Sequence, residues 1–534
     1  MEVFTHLMEG FAVSFEPLNL GMLVLGCLLG LFIGAMPGLG SVNGVAILLP
    51  ITFIVPPTAA IIFLAAIYYG AMYGGAISSI MLGIPGASTA VATTFDGRPL
   101  AMQGKADYAL VAAAVASFVG GTISVILFTL FAPPLADFAL KFGPAESFAL
   151  MVLAFATFIG LGGDDIPKTI FMILLGLVLS AVGLDIISGR PRLIFFDLPG
   201  FYAGISFIVL AIGIYGIGEM LWTMEQSKGK VEIASHKFTV SRMFAAFGEL
   251  RRSGRVMVLS SFLGYFVGIL PAAGATPGSL MAYGMTKSMS RDPSLYGKGA
   301  INGVVAPECA NNAASTGSML PMLTLGIPGS PTTAILLGGM IIWGLTPGPL
   351  LFVEQKEFVW GLTASLYSAN LFTLIINLAL IPLFVWVLRM PFTILAPLIF
   401  VLCFVGGFAP DSRMFDPWLI LLFGAAGYLL RKLDYPMAPL VLAIVLGPLA
   451  ESTFRQTMVG ERGDWTVFFT RPLSAIIFLC ALGLIVYPVY LAYKRRGEFP
   501  GDEDEAGGAE MAKAGASKPA SRGKSPARRS GPRR

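Results

Sequence analysis

Gly34–Gly44 reads G-A-M-P-G-L-G-S-V-N-G, and Gly268–Gly278 reads G-I-L-P-A-A-G-A-T-P-G. Both strings interrupt strongly apolar sequence. A second echo follows each of them, G-I-P-G at Gly83–Gly86 and again at Gly326–Gly329. Proline removes an amide donor and clashes with the preceding helical turn, while glycine permits positive φ. In lipid an unpaired backbone N–H or C=O costs several kcal/mol, so such a break persists only where it faces a cavity or is buried in protein. Breaks at corresponding positions of two halves point to a binding site near the membrane midplane.

The rest of the chain supports a membrane setting. Of its 534 residues 56% are hydrophobic and only 12% charged, against roughly 25% charged in soluble chains. Its mean hydropathy is +0.79. Apolar stretches near the ~20 residues needed to cross a bilayer recur at Leu18–Ile33, Ala109–Leu130, Ile170–Leu184, Ile205–Leu221, Phe358–Val387 and Leu473–Leu491. These features predict an all-α polytopic membrane protein with about 10–12 crossings or half-crossings. The N-terminus carries Glu2, Glu9 and Glu16 in place of a positive n-region, unlike a secretory signal peptide. Cys27, Cys309, Cys403 and Cys480 are scattered singly, giving neither a metal spacing nor a disulfide framework.

Charge sets the expected topology. Lys228, Lys230, Lys237, Arg242, Arg251, Arg252 and Arg255 crowd one central loop, and Lys494, Arg495 and Arg496 open a basic tail. The positive-inside rule places both in the cytoplasm, and the Lys- and Arg-free N-terminal segment outside. The first broken helix then runs inward and its counterpart outward, so the halves are expected to be inverted-topology repeats with broken helices or re-entrant hairpins. Gly34, Pro37, Gly40 and Gly44 align with Gly268, Pro271, Gly274 and Gly278 at one constant offset. Gly74, Gly83, Ile84, Pro85, Gly86 and Thr89 align with Gly317, Gly326, Ile327, Pro328, Gly329 and Thr332 at a slightly larger one. The organisation read from this is a periplasmic segment 1–17, a first membrane repeat 18–222, a basic cytoplasmic loop 223–255, a second repeat 256–493 and a solvated cytoplasmic tail 494–534. The tail's Gly-, Ala-, Ser-, Lys- and Arg-rich composition cannot bury enough surface to order itself.

The breaks supply the chemistry. Helix N-terminal amides attract anions and unwound carbonyls attract cations. The first string adds Gly38, Gly40, Ser41 and Asn43, and its counterpart adds Gly274, Thr276 and Gly278. The G-I-P-G loops add Gly86, Ser88 and Thr89 in one half, and Gly329, Ser330 and Thr332 in the other. The most polar stretch in an apolar context is A-P-E-C-A-N-N-A-A-S-T-G, with Glu308, Asn311 and Asn312. An ionisable group at membrane depth marks a functional site; the other reading puts Glu308 at the membrane surface, capping or paired with Lys298. The first-half positions matching Glu308, Asn311 and Asn312 hold Ala65, Tyr68 and Tyr69, so the two halves differ there.

Some chemistries lack their motifs. The chain has no G-x-x-x-x-G-K-[ST] phosphate loop, and its two histidines, His6 and His236, lie outside the apolar stretches. No metal helix and no cofactor is expected. Asp164 and Asp165 read as a loop and helix N-cap rather than a catalytic pair. An enzyme is therefore disfavoured.

These residues resemble the large membrane subunit of the tripartite tricarboxylate transporters. The likeness is carried by G-x-x-P-G-x-G-x-x-x-G followed by L-L-P, by Y-G-x-x-Y-G-G at Tyr69–Gly75, and by F-D-G-R-P-L-A-x-x-G-K-A. G-V-V-A-P-E-C-A-N-N-A and L-G-I-P-G-S-P-T-T-A complete it. It runs from about residue 18 to about residue 493, with residues 36–44, 83–89, 271–279, 308–318 and 326–333 matching best. The resemblance implies a permease of the bacterial inner membrane, multi-pass, taking up citrate-like tricarboxylates or related organic acids. It implies two protein partners, a small membrane subunit and a periplasmic solute-binding protein, and an ion gradient as the energy source; no nucleic-acid partner is expected.

The matched stretches hold no Arg or Lys near their centres. Helix-end charges of roughly half a unit each cannot neutralise a trianion alone. Coupling to Na⁺ or H⁺ is therefore expected, with Glu308 the acidic participant. The rival readings are an ion channel and a stand-alone organic-anion carrier.

Overall fold

Each proline–glycine string ends one helix and starts another that turns back alongside it. The computed structural model describes residues 2–161, 165–185, 188–226, 248, 250–271, 273–388, 392–408 and 412–497. After α1 (Glu2–Ser14), α2 (Pro17–Ala35) stops at Met36, and Gly38 and Gly40 take φ of +86° and +60°. α3 (Gly40–Leu48) then doubles back, bringing Gly44 against the Ile33 side chain. α4 (Pro57–Leu82) runs parallel to α2, with Gly26, Gly30 and Gly34 seated on the carbonyls of Phe63, Ile67 and Ala71. Glycine at every fourth position is what lets two membrane helices approach backbone to backbone.

α4 ends at Gly83, in the left-handed region at φ +72°, and the chain dips back until Gly86 abuts the carbonyl of Gly34. α5 (Val91–Met102), α6 (Ala106–Ala139), α7 (Pro144–Leu161), α8 (Ile166–Ser180), a two-residue hairpin β1 (Gly183–Leu184) and β2 (Pro191–Arg192), and α9 (Phe207–Ala211) follow. A π-turn at Ile212–Gly218 leads into α10 (Glu219–Gln226).

The second half repeats the plan. α11 (Gly254–Ile269) and α12 (Ala275–Ser288) form the hairpin about Gly274, φ +63°. α13 (Asn302–Leu325) ends at Gly326, φ +71°, and α14 (Pro331–Ile342) follows the dip. Gly264 and Gly268 sit on the carbonyls of Ala310 and Ala314, and Gly329 on that of Gly268. These contacts reproduce those of Gly30, Gly34 and Gly86 at the same two offsets that relate the sequences. The strings are therefore structural repeats. α15 (Lys356–Val387), α16 (Phe392–Phe408), α17 (Phe415–Lys432) and α18 (Met437–Gly460) continue in the order of α6 to α10, and α19 (Pro472–Gly497) is the last described helix.

The repeats are inverted. Tyr68 of α4 hydrogen-bonds Ser318 of α13 at 3.3 Å and Tyr69 bonds Thr316, so the matching helices of the two repeats meet across the centre. α6 and α15 run antiparallel: Gly121 meets Asn370, and the later Thr129 bonds the earlier Tyr367 at 2.9 Å. α2 to α6 and α11 to α15 build this inner group. An outer group forms from α7 to α10 with α16 to α18, where the π-turn crosses α17 at Gly213 and Ile420, and α18 crosses α8 at Leu440 and Gly176. The groups meet where Ile47 of α3 lies beside Gly216 and where Gly338 of α14 lies under the Phe207 ring.

Six helices are long and apolar enough to cross a membrane, Pro17–Ala35, Pro57–Leu82, Ala106–Ala139, Phe207–Glu225, Lys356–Trp386 and Met437–Gly460, with further shorter apolar helices among the described residues. One expected stretch is shorter than its hydropathy suggests. Ile170–Leu184 is helical only to Ser180, because Gly183 at φ +117° packs on the backbone of Gly204 and starts β1. Asp165 is the N-cap of α8, accepting from the Lys168 amide; Asp164, His236 and most of the central basic loop lie outside the described residues. The chain divides into residues 1–484 and 485–534, and the second part is described through residue 497, where it is helical.

Candidate functional site

Four helix N-termini, one from each break, converge on a cavity of about 530 Å³. Its wall includes Gly38, Gly40, Ser41 and Asn43 before and within α3, and Gly86, Ser88 and Thr89 before α5. From the other repeat come Gly274 and Thr276 at the start of α12, and Ser330 and Thr332 at the start of α14. The loops are laced crosswise. Ser41 hydrogen-bonds Thr332 at 3.0 Å, and Thr276 donates to Ser88 at 3.0 Å, so each hairpin tip is tied to the dip of the opposite repeat. The Gly274 amide donates to the Gly329 carbonyl at 3.0 Å.

Several predicted residues serve the scaffold of this cavity. Asn43 donates its side-chain amide to the Gly38 carbonyl at 3.2 Å, holding the turn. Ser330 caps α14 reciprocally with Thr333 and bonds the Tyr68 hydroxyl at 3.2 Å. Gly278 is a packing residue, 3.6–3.7 Å from Gly264, Ala314 and Val267 as measured from an added methyl carbon. Gly329 likewise packs on Ser318 and Gly268.

Glu308, Asn311 and Asn312 form a different cluster, fully buried between α13, α5 and α6. Thr93 donates to Glu308 at 2.5 Å, Ser117 at 3.1 Å and Asn311 at 3.3 Å, while Asn312 donates to Asn311 Oδ1 at 2.6 Å. Asn312 Oδ1 has no partner among the described residues. The surface placement of Glu308 is therefore wrong: Pro307 sits inside α13 without ending it, and the carboxylate faces hydroxyls from the opposite repeat rather than Lys298.

The cavity also holds charge that the sequence motifs lack. Glu219 of α10 and Arg431 of α17 line it and form an ion pair with each other. The motif stretches hold no Arg or Lys near their centres, yet the folded cavity has a fixed cation on its wall, because α17 delivers Arg431 from elsewhere in the chain. Tyr215 lines the same wall one turn before Glu219.

Residues 20–442 match the tripartite tricarboxylate transporter TctA family. The chain belongs to that family. It is 38% identical over 486 residues, 91% of this chain and 96% of the relative, to an uncharacterized 52.8 kDa protein in the TAR-I ttuC' 3' region of Agrobacterium vitis. It is 41% identical over 222 residues, 42% of this chain and 91% of the relative, to an uncharacterized protein in the TAR-II ttuC' 3' region of the same organism. No solved structure matches.

As a TctA-family protein it is a multi-pass membrane transporter subunit, and a tripartite transporter works with further subunits. One family-like motif gains a physical role here. In F-D-G-R-P-L-A, Asp96 is fully buried and accepts from the amides of Gly297, Gly299 and Ala300 at 2.8–2.9 Å and from the Tyr283 hydroxyl at 2.9 Å. It pins α5 of one repeat to the loop before α13 of the other.

Proposed function

We propose that this TctA-family chain is the permease of a cation-coupled uptake system for a citrate-like tricarboxylate or related organic acid. It would sit in the bacterial inner membrane, receive substrate from a periplasmic solute-binding protein and work with a small membrane subunit. The observation that carries the reading is the convergence of four helix N-termini from inverted repeats on one cavity. Its volume, about 530 Å³, lies within the usual range for small-molecule sites. At roughly half a charge each, four helix ends supply about +2. The Glu219–Arg431 pair adds no net charge. A trianion leaves about one negative charge over, which a co-transported Na⁺ or H⁺ balances in the cavity; Glu308, in its separate buried cluster, is the acidic participant that couples cation movement to transport.

The inner group carries all four breaks, and the outer group meets it along α3 and α14. Movement of one group against the other carries the site across the membrane. Uptake of labelled citrate, succinate and malate into proteoliposomes holding the permease with its partner subunits tests the reading. Uptake that requires a Na⁺ or proton gradient and an added binding protein is expected. Uptake that persists without any gradient refutes cation coupling, and channel-like currents refute the carrier. Cysteines cross-linking α3 to the π-turn should stop uptake while sparing binding.

A further inference from the structure

The Glu219–Arg431 pair stands on the outer-group wall of the cavity, with Glu219 beside Gly38 at the first break. Glu219 is buried, and only one of its oxygens is engaged: Oε2 meets Arg431, while Oε1 has no hydrogen-bond partner among the described residues. Arg431 is 39% exposed and stacks its guanidinium on Trp222 at 5.1 Å. A planar guanidinium held by a carboxylate on one edge and an indole on its face keeps other N–H donors for a second carboxylate. Two hydroxyls flank Glu219 on its helix. Tyr215, one turn earlier, has a buried hydroxyl with no partner among the described residues, and Thr223, one turn later, lies with Glu219 beside Gly38. Glu219 directly follows the π-turn, a feature frequent at functional sites.

The second repeat carries the same device. V-L-A-I at Val209–Ile212 recurs at Val441–Ile444, and at the same spacing after each stands a glutamate, Glu219 and Glu451. Glu451 is held by Arg192 at 2.7 Å and Arg455 at 2.5 Å, both of which also pair with Asp185, and it too lines a cavity, of about 380 Å³. Because the repeats are inverted, the two acid–arginine groups stand at opposite ends of the outer group. The glutamates alone occupy matched positions, and their arginines come from elsewhere in the chain; what recurs is a glutamate on a cavity wall, each time beside an arginine.

We propose that Arg431 is the anion anchor of the cavity: a substrate carboxylate takes its free N–H edge and weakens its hold on Glu219, which turns toward the Tyr215 and Thr223 hydroxyls. Glu219 thereby competes with the substrate for Arg431 and lets the anion leave again. Glu451 with Arg192 and Arg455 is the repeat-related group at the other mouth. This rests on the proposed carboxylate function.

Calorimetric titration of the purified full-length permease with citrate, succinate and malate separates the two. Wild-type binding of at least one acid is expected; binding of none overturns the carboxylate reading and this inference with it. Where an acid binds, Arg431→Gln should weaken it roughly 10- to 100-fold, as loss of a hydrogen bond to a charged group does. Arg431→Lys should recover part of that loss. Glu219→Gln, which frees the arginine, should tighten binding several-fold. A purely structural pair predicts that both neutral variants weaken binding alike and that the swap Glu219→Arg with Arg431→Glu restores it. Either result overturns the anchor while leaving the carboxylate reading intact.

Discussion

The closeness of α2 and α4 makes a quantitative prediction about two glycines in one helix. At Gly34 an added methyl carbon would lie 2.2 Å from the Ala71 carbonyl oxygen and 2.7 Å from its Cα, both backbone atoms that no rotamer change can move. Ordinary contact needs at least ~3.4 Å, so Gly34→Ala must push the helices apart by about 1 Å, and the gap forfeits much of the dispersion energy of the lining atoms. Overpacking of this kind costs about 1–3 kcal/mol, and the rigidity of both partners puts Gly34→Ala at the upper end. Gly21, about three and a half turns earlier in α2, has nothing within 4 Å of the same methyl position. There alanine should be neutral or stabilising by up to about 1 kcal/mol through helix propensity. Thermal unfolding of the detergent-solubilised protein, with uptake in proteoliposomes alongside, reads both. Gly34→Ala should lower Tm and abolish uptake by displacing the Gly86 dip, while Gly21→Ala leaves uptake unchanged. A Gly34→Ala variant as stable as Gly21→Ala would refute the backbone-contact account of the hairpins.

Three further outcomes follow from the hydrogen bonding. Ser41→Ala leaves the buried Thr332 hydroxyl without its partner and should cost about 1–3 kcal/mol, whereas Thr276→Ala, in the exposed tie to Ser88, should cost less than about 0.5 kcal/mol; equal Tm shifts would contradict this. Asp96→Ala strips four hydrogen bonds from a buried carboxylate and should destabilise by at least about 3 kcal/mol, and a Tm within error of wild type would show that Asp96 does not pin the two repeats. Glu308→Gln preserves shape and should leave the fold within about 1 kcal/mol of wild type while uncoupling uptake from the cation gradient; gradient dependence equal to wild type would remove Glu308 from the coupling step.

The breaks and the duplication were legible in the chain because helix-breaking Pro–Gly strings are costly in lipid and leave little choice of location. Ser41, Thr276, Ser88 and Thr332 read as cavity residues for the same reason. Arg431 was not legible. In Y-L-L-R-K-L-D-Y it reads as an ordinary basic helix end, and its partner Glu219 stands in a different repeat, behind apolar sequence. The recurrence of V-L-A-I followed by glutamate was the available signal, and its apolar residues look like any membrane helix. Glu308 could not be placed by sequence either, since Thr93 and Ser117, which decide its surroundings, come from the opposite repeat.

The crosswise pairing also governs biosynthesis. Tyr69 bonds Thr316, a partner 247 residues further along the chain. At roughly 5–20 residues per second a ribosome needs on the order of 10–50 s to deliver that partner. Throughout this interval α4, whose residues Ala59–Leu82 are all buried in the finished protein, waits in the bilayer with its tyrosine hydroxyls and hairpin backbone facing lipid or translocon. Until then the Tyr68 and Tyr69 hydroxyls lack the partners they have in the finished protein. A stalled or truncated chain ending before α13 should be a substrate for membrane quality control, and co-expression of the two halves as separate polypeptides should rescue both from degradation.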